Sequence, residues 1–191
     1  MKKLYTLVTI ILLLPVLLVS CSSNDSIELA AEQSMQQFEA AGVQDMHNDA
    51  LFIAEAGSIA MLQLQLSQAA AEKAVSPEIK ELAQRMQTDH QQLLTEIQQL
   101  SEKSMFVLPQ ELGNAHQDIY KEVNEQAGIG FDLTYVREVN DLHELAFQRY
   151  SDMADNGVNM EVKMFASQQL PRIREHIELT EKISEQIESA T

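Results

Sequence analysis

The sequence predicts an all-α chain folded as a four-helix bundle. Three observations carry that reading. The 191 residues are 45 % hydrophobic but only 5 % aromatic, with no Trp, six Gly and four Pro. A chain rich in Ala, Gln, Glu, Leu and Met suits helices rather than sheets. Apolar residues recur at three- and four-residue steps in four long stretches. The connections between those stretches are short except for one crossover, between the second and third, which reads as carrying a short extra helix.

Taken in order, Ser22 to Ser26 is polar, and Ile27 to Ala41 reads as a short helix capped by Asp25 or Ser26 and ended at Gly42. Its apolar face (Ile27, Ala31, Phe38) is thin, so residues 21–47 read as a tether and residues 48–188 as the bundle. The first long helix is expected after the capping pair Asn48-Asp49 and runs to about Val75, burying Leu51, Ala54, Met61, Leu62, Leu66 and Ala69. Gly57 inside it marks either a close approach or a tolerated glycine, two readings of equal standing.

The second long helix starts at Ser76, a good N-cap, followed by Pro77 at the first helical position. Glu78 and Glu81 complement its dipole. Ile79, Leu82, Met86, Leu93, Ile97 and Leu100 form one stripe, interrupted by a single polar residue, His90. Leu108-Pro109 stops any helix in the crossover, Asn114 to Glu125 reads as the extra helix, and Gly128-Ile129-Gly130 as a turn. The third long helix is expected from Asp132, as cap, to about Asp155, with Val136, Val139, His143, Ala146, Phe147 and Tyr150 on one face and Asn156-Gly157 at its end. The fourth runs from about Asn159 to Glu188 with Val162, Phe165, Ala166, Ile173, His176, Ile177, Thr180, Ile183 and Ile187 in phase. Pro171 removes the donor to the Ser167 carbonyl, but the apolar phase continues across it, so one helix is expected.

The net charge of −16 argues against nucleic acid as partner and against adsorption to an anionic membrane through a basic face. No repeat with a period of twenty to fifty residues is present. Nor is there a Gly-rich phosphate loop, a Cys pair, HExxH or GxSxG, and no serine, base and orienting acid match by spacing. An enzyme is therefore not the expected reading.

The N-terminus supplies a different attachment. Lys2 and Lys3 precede an apolar run from Leu4 to Val19, too short for a comfortable membrane span. The following Leu18-Val19-Ser20-Cys21 resembles the lipobox of bacterial lipoproteins. The resemblance implies a signal peptide over residues 1–20, lipidation of Cys21, and anchoring by several acyl chains. Cys21 is the only cysteine, so no disulfide is expected. Ser22, rather than Asp, after it implies the periplasmic face of the outer membrane in a cell with two membranes.

His90, His143 and His176 each fall on the apolar face of a different long helix. Converging, they would suit Zn²⁺ or copper. The favoured expectation is plainer: three core histidines, each bonded to a carbonyl or carboxylate, and no cofactor. A carboxylate-bridged di-iron site needs Glu-x-x-His, but Gln87, Asn140 and Ile173 occupy the positions three before the histidines. Asp89, Glu144 and Glu175 adjoin the histidines and suit hydrogen-bond partners or surface charges better than ligands. Met61 and Met86 offer thioethers for Cu(I), although such methionines more often fill a core. His47 and His116 have no assigned role.

Several short motifs, in order, are Asp89-His90, Leu108-Pro109, His116 with Tyr120, Phe131-Asp132 with Tyr135, His143, and Leu170-Pro171 with His176. Over Asn48 to Ile183 they resemble a bacterial ferritin-like family of envelope proteins with no assigned activity. The resemblance implies a ferritin-like bundle outside the cytoplasm. Two positions depart from that family's pattern: Met61 and Leu142 stand where it often has Glu and Asp, removing carboxylate oxygen. The expected protein is thus a lipid-anchored, non-catalytic envelope protein with a binding or supporting role. The alternative is a metal-binding or metal-dependent redox protein that uses the three histidines.

Overall fold

All regular secondary structure among residues 25–190, the part of the chain that the computed structural model describes, is α-helical. Six helices follow in order: α1 Ser26–Ala40, α2 His47–Lys73, α3 Pro77–Ser104, α4 Asn114–Glu125, α5 Ile129–Asn156 and α6 Met160–Ala190. No strand occurs among these residues. The signal segment and Cys21 lie outside the described residues.

Helix α1, the short helix expected within residues 21–47, packs along α2. Asp25 caps it by accepting from the Ile27 N–H at 2.9 Å, and Gly42 ends it at φ +73°, where glycine carries no Cβ penalty. The thin apolar face is enough because its few residues are fully used. Ala30, Ala31 and Phe38 are buried, and the Phe38 ring meets Phe106 edge to face at 5.0 Å. Ser34 Oγ accepts from the Val107 N–H at 2.8 Å and donates to the Ala30 carbonyl. These contacts bind α1 to the crossover as well as to α2.

The four long helices form two hairpins. Helix α2 packs along α3 and α5 along α6, and the hairpins meet through α2 with α5 and α3 with α6. By length and composition α2 is apolar enough to cross a membrane, with a mean hydropathy of 1.3 in its best window. Of that window 67 % is buried against the protein's own helices, which identifies a core helix. Helix α3 starts as expected, with Ser76 as N-cap and Pro77 in the first turn. Helix α6 runs unbroken through Pro171.

Two capping assignments need correction. Helices α2 and α5 begin at His47 and Ile129, ahead of Asn48-Asp49 and of Asp132. Both aspartates are fully buried in the first turn of their helix and cap the other hairpin's bend instead. Asp132 accepts from the Val75 and Ser76 N–H groups, the latter at 2.7 Å, where α2 turns into α3. Asp49 accepts from Val158 and Asn159, the latter also at 2.7 Å, where α5 turns into α6. Each carboxylate thus serves its own helix dipole and the orphan backbone donors of a foreign turn.

Gly57 marks a close approach, by the crossover rather than by a helix. A Cβ there would stand 3.3 Å from Leu108 Cδ2 and 3.5 Å from Pro109 Cδ. Ser58, next to it and fully buried, accepts from the Gly113 N–H at 2.9 Å and shares a hydrogen bond with His116 Nδ1 at 2.7 Å. His116 therefore fastens the crossover to α2.

The apolar core falls into two clusters. One holds Phe52, Ile53, Ala60, Ile97, Ala146, Tyr150, Phe165 and Ile173, the other Leu62, Leu66, Met86, Phe131, Tyr135, Val139, Leu142 and Ile183. On α3, α5 and α6 the change from one cluster to the other occurs at His90, His143 and His176. On α2 it occurs beside Gln63.

Candidate metal centre

Ridge-forming apolar residues on either side place the three histidines at one level of the core. His90, His143 and His176 are 4 %, 1 % and 2 % exposed. Their ring centroids stand 4.8 Å apart for His143 and His176, 5.3 Å for His90 and His143, and 5.7 Å for His90 and His176. One ligand nitrogen from each lies within 4.8 Å of the others.

Hydrogen bonds decide where the ring protons sit. His143 Nδ1 lies 2.7 Å from the Val139 carbonyl oxygen, which only accepts, so Nδ1 carries the proton. His176 Nε2 lies 2.9 Å from Asp89 Oδ2, so that nitrogen donates to the carboxylate. The remaining nitrogens, His143 Nε2 and His176 Nδ1, face each other at 3.0 Å. With both rings neutral they are two bare lone pairs.

The rings are held neutral. Burial lowers the His143 pKa to about 3, with the neighbouring His176 adding to the effect. Burial pushes His90 well below the ordinary imidazole range, helped by His143, His176 and Arg172. Burial also lowers His176, against the opposing pull of Asp89. Facing lone pairs in a dry core repel, and a proton or a metal ion between them removes the repulsion.

His90 completes the pattern by what it lacks. The plainer expectation, that every histidine finds a protein partner, is met by His143 and His176 and fails for His90, since neither of its ring nitrogens has one. The other buried polar atoms without a hydrogen-bond partner, among the described residues, are Gln63 Oε1 and Arg172 Nη1. All three residues line one cavity of about 20 Å³, together with His143, His176, Asp89 and Tyr150. A larger surface hollow of about 610 Å³, lined by residues such as Arg137, Asn140 and Glu181, holds none of these atoms.

The donor set fits a borderline metal. Two nitrogens sharing one Zn²⁺ or Cu²⁺ at ~2.0 Å stand ~3.3 Å apart, near the observed 3.0 Å. A carboxylate and a backbone carbonyl on the far nitrogens of two ligands are the usual partners that orient metal-bound imidazoles. His90, unrestrained by any hydrogen bond, is the ring free to adjust. Met61 and Met86 do not line the cavity, which removes the thioether-imidazole arrangement.

Residues 31–183 match the domain of unknown function DUF4142. The chain belongs to the DUF4142 family. A solved structure described as "CopM in the Cu(II)-bound form" resembles this DUF4142 domain with a TM-score of 0.58. The identity is 17 %, over 72 % of this chain and 96 % of that one, so the likeness is one of fold. No curated protein matches the chain.

Asp89 meets the expectation of a histidine partner, and it leads outward. Arg85 Nε lies 3.6 Å from it, and Arg85 is paired with the exposed Glu175 at 2.6 Å. Glu144 stays at the surface, bonded to Asn140. Gln63 and Arg172 were not singled out from the DUF4142 sequence, although a signal exists. Gln63 falls in phase with the buried Ala56, Ala60, Ser67 and Ala70 of α2, and Arg172 lies four residues before His176.

Proposed function

We propose that this DUF4142 domain binds one transition-metal ion through His90, His143 and His176, with copper the first candidate and zinc the second. The carrying observation is the pair of lone pairs at 3.0 Å beside a buried histidine with no partner at all. Three neutral imidazoles suit both metals, and copper binds such sites more tightly than zinc. The shared fold with a structure whose description places Cu(II) in it supports that order. Bound copper would supply one-electron chemistry. The chain's own part is to hold the ion: Val139 and Asp89 orient His143 and His176, and the apolar clusters above and below exclude water. Carriage or buffering of the metal is the role this favours over catalysis.

We read the architecture as a ferritin-like four-helix bundle, with α2, α3, α6 and α5 in contact around a ring and α4 in the crossover. We place the protein in the cell envelope, anchored through Cys21 after removal of residues 1–20. Asp25 caps α1, and the four-residue step from Cys21 to Asp25 spans at most ~14 Å. The domain would sit close against its membrane. Cys21→Ser should leave the protein unlipidated and out of the detergent phase, or unprocessed. Normal processing with unchanged detergent partition would rule out the anchor.

The metal reading is tested by titrating the full chain, purified without a metal-affinity tag, with Cu²⁺ at neutral pH. One ion per chain is expected. At a free concentration about 100 times Kd the gain is ~2.7 kcal/mol, a rise in Tm of about 5–10 °C for a domain of this size. His90→Gln, His143→Gln and His176→Gln should each abolish most of it. A folded chain with no stoichiometric Cu²⁺ or Zn²⁺ would sink the proposal.

A further inference from the structure

We propose that the histidine cluster carries a small-anion site, at which a hydroxide sits between the bound metal, the Arg172 guanidinium and the Gln63 amide, and where fluoride can replace it. It rests on the metal reading above and adds what fills the remaining coordination position.

A metal ion satisfies His90 but not Arg172. Arg172 Nη1 is a buried donor without an acceptor, and a cation cannot accept a hydrogen bond. Its nearest carboxylate oxygen, Glu96 Oε1, is 3.9 Å away, close enough to balance charge and too far to bond. Both Glu96 oxygens are already taken by amides, Oε1 by Gln92 and Oε2 by Gln169, each at 2.8 Å. Gln63 Oε1 has the opposite need, an acceptor without a donor. A hydroxide meets both demands at once. Its oxygen binds the metal and accepts from Arg172, and its hydrogen goes to Gln63.

Charge and size agree. The three rings are neutral, and the one carboxylate in the cavity wall, Asp89, is engaged by His176 Nε2. A dication beside Arg172 therefore lacks an anion in contact, in surroundings of low dielectric where the imbalance is costly. A cavity of about 20 Å³ holds one water-sized ligand. That volume admits hydroxide, or fluoride with the Gln63 amide turned to present its N–H, and excludes elongated anions.

The test uses the Cu²⁺-loaded full chain, fluoride as probe and electron paramagnetic resonance as readout. Fluoride should split the copper signal through the ¹⁹F nucleus, whereas thiocyanate should leave it unchanged. Arg172→Gln should weaken fluoride binding by about tenfold or more, with copper stoichiometry kept, and Arg172→Lys should recover most of the loss. Copper bound at one per chain with no fluoride splitting, or with equal fluoride affinity in Arg172→Gln, overturns the anion site alone. Should Arg172→Gln not fold, the wild-type size series decides: thiocyanate bound as readily as fluoride overturns the proposal. Absence of copper binding in the first place overturns the metal reading and this one with it.

Discussion

Asp132→Ala is expected to lower the unfolding free energy by ~3–5 kcal/mol. The carboxylate is fully buried and accepts from two backbone N–H groups at the α2–α3 bend. Alanine leaves both donors without a partner, at ~1–3 kcal/mol each, and removes a negative charge from the first turn of α5. Asp49→Ala should cost about as much, since it releases Val158 and Asn159 at the α5–α6 bend. Asparagine at either position keeps one acceptor and should cost distinctly less. The two sites lie at opposite ends of α2 and α5, about 40 Å apart for helices of this length, so the losses should add. Urea denaturation of the single and double variants measures all of this. A loss under about 1 kcal/mol in Asp132→Ala would mean that water replaces the carboxylate and that the bends do not depend on it.

The metal-free domain should also lose ~2 kcal/mol or more between pH 7 and pH 5. His143, with a pKa of about 3, stays neutral in the folded chain over that range, and burial holds His90 well below its ordinary value. In the unfolded chain both take up a proton near pH 6.5. The unfolded state therefore binds more protons, so stability is full above about pH 6.5 and falls as the pH drops. At pH 5 His143 contributes a loss of ~2 kcal/mol, which stops growing below pH 3, and His90 adds to it in the same direction. His176 moves the same way, moderated by Asp89. Among the charged groups around the cluster, Arg172 opposes protonation of His90, whereas Asp89, screened by Arg85, favours protonation of His176. Thermal melts from pH 7 to 4.5 should show the slope in the wild type and a shallower one in His143→Gln. Equal stability at pH 7 and pH 5 would contradict the buried, neutral cluster. The slope reports burial, which core histidines and metal ligands share, so the copper titration remains the separate test of the ion.

Helix positions were legible in the chain because periodicity is a local property. The α3 stripe, the α4 segment and the unbroken phase across Pro171 all appear in the helices observed. The inward phase of His90, His143 and His176 was legible for the same reason, since one polar residue within each stripe stands out. By contrast Asp49 and Asp132 read as ordinary caps, because a sequence shows which turn a residue is in but not which foreign turn lies against it. The value of α1 was likewise hidden: Phe38 is a lone aromatic until Phe106 arrives from the crossover to meet it. The state of the histidines was decided wholly in three dimensions. Sequence placed three imidazoles on three helices and favoured a bonded partner for each. Only the packing of α2, α3, α5 and α6 set two lone pairs 3.0 Å apart and left His90, Gln63 and Arg172 around one cavity, each with a polar atom that has no partner. Hydrogen-bond satisfaction depends on distances across helices, and those distances are fixed by the sum of all the contacts in the core rather than by any one segment.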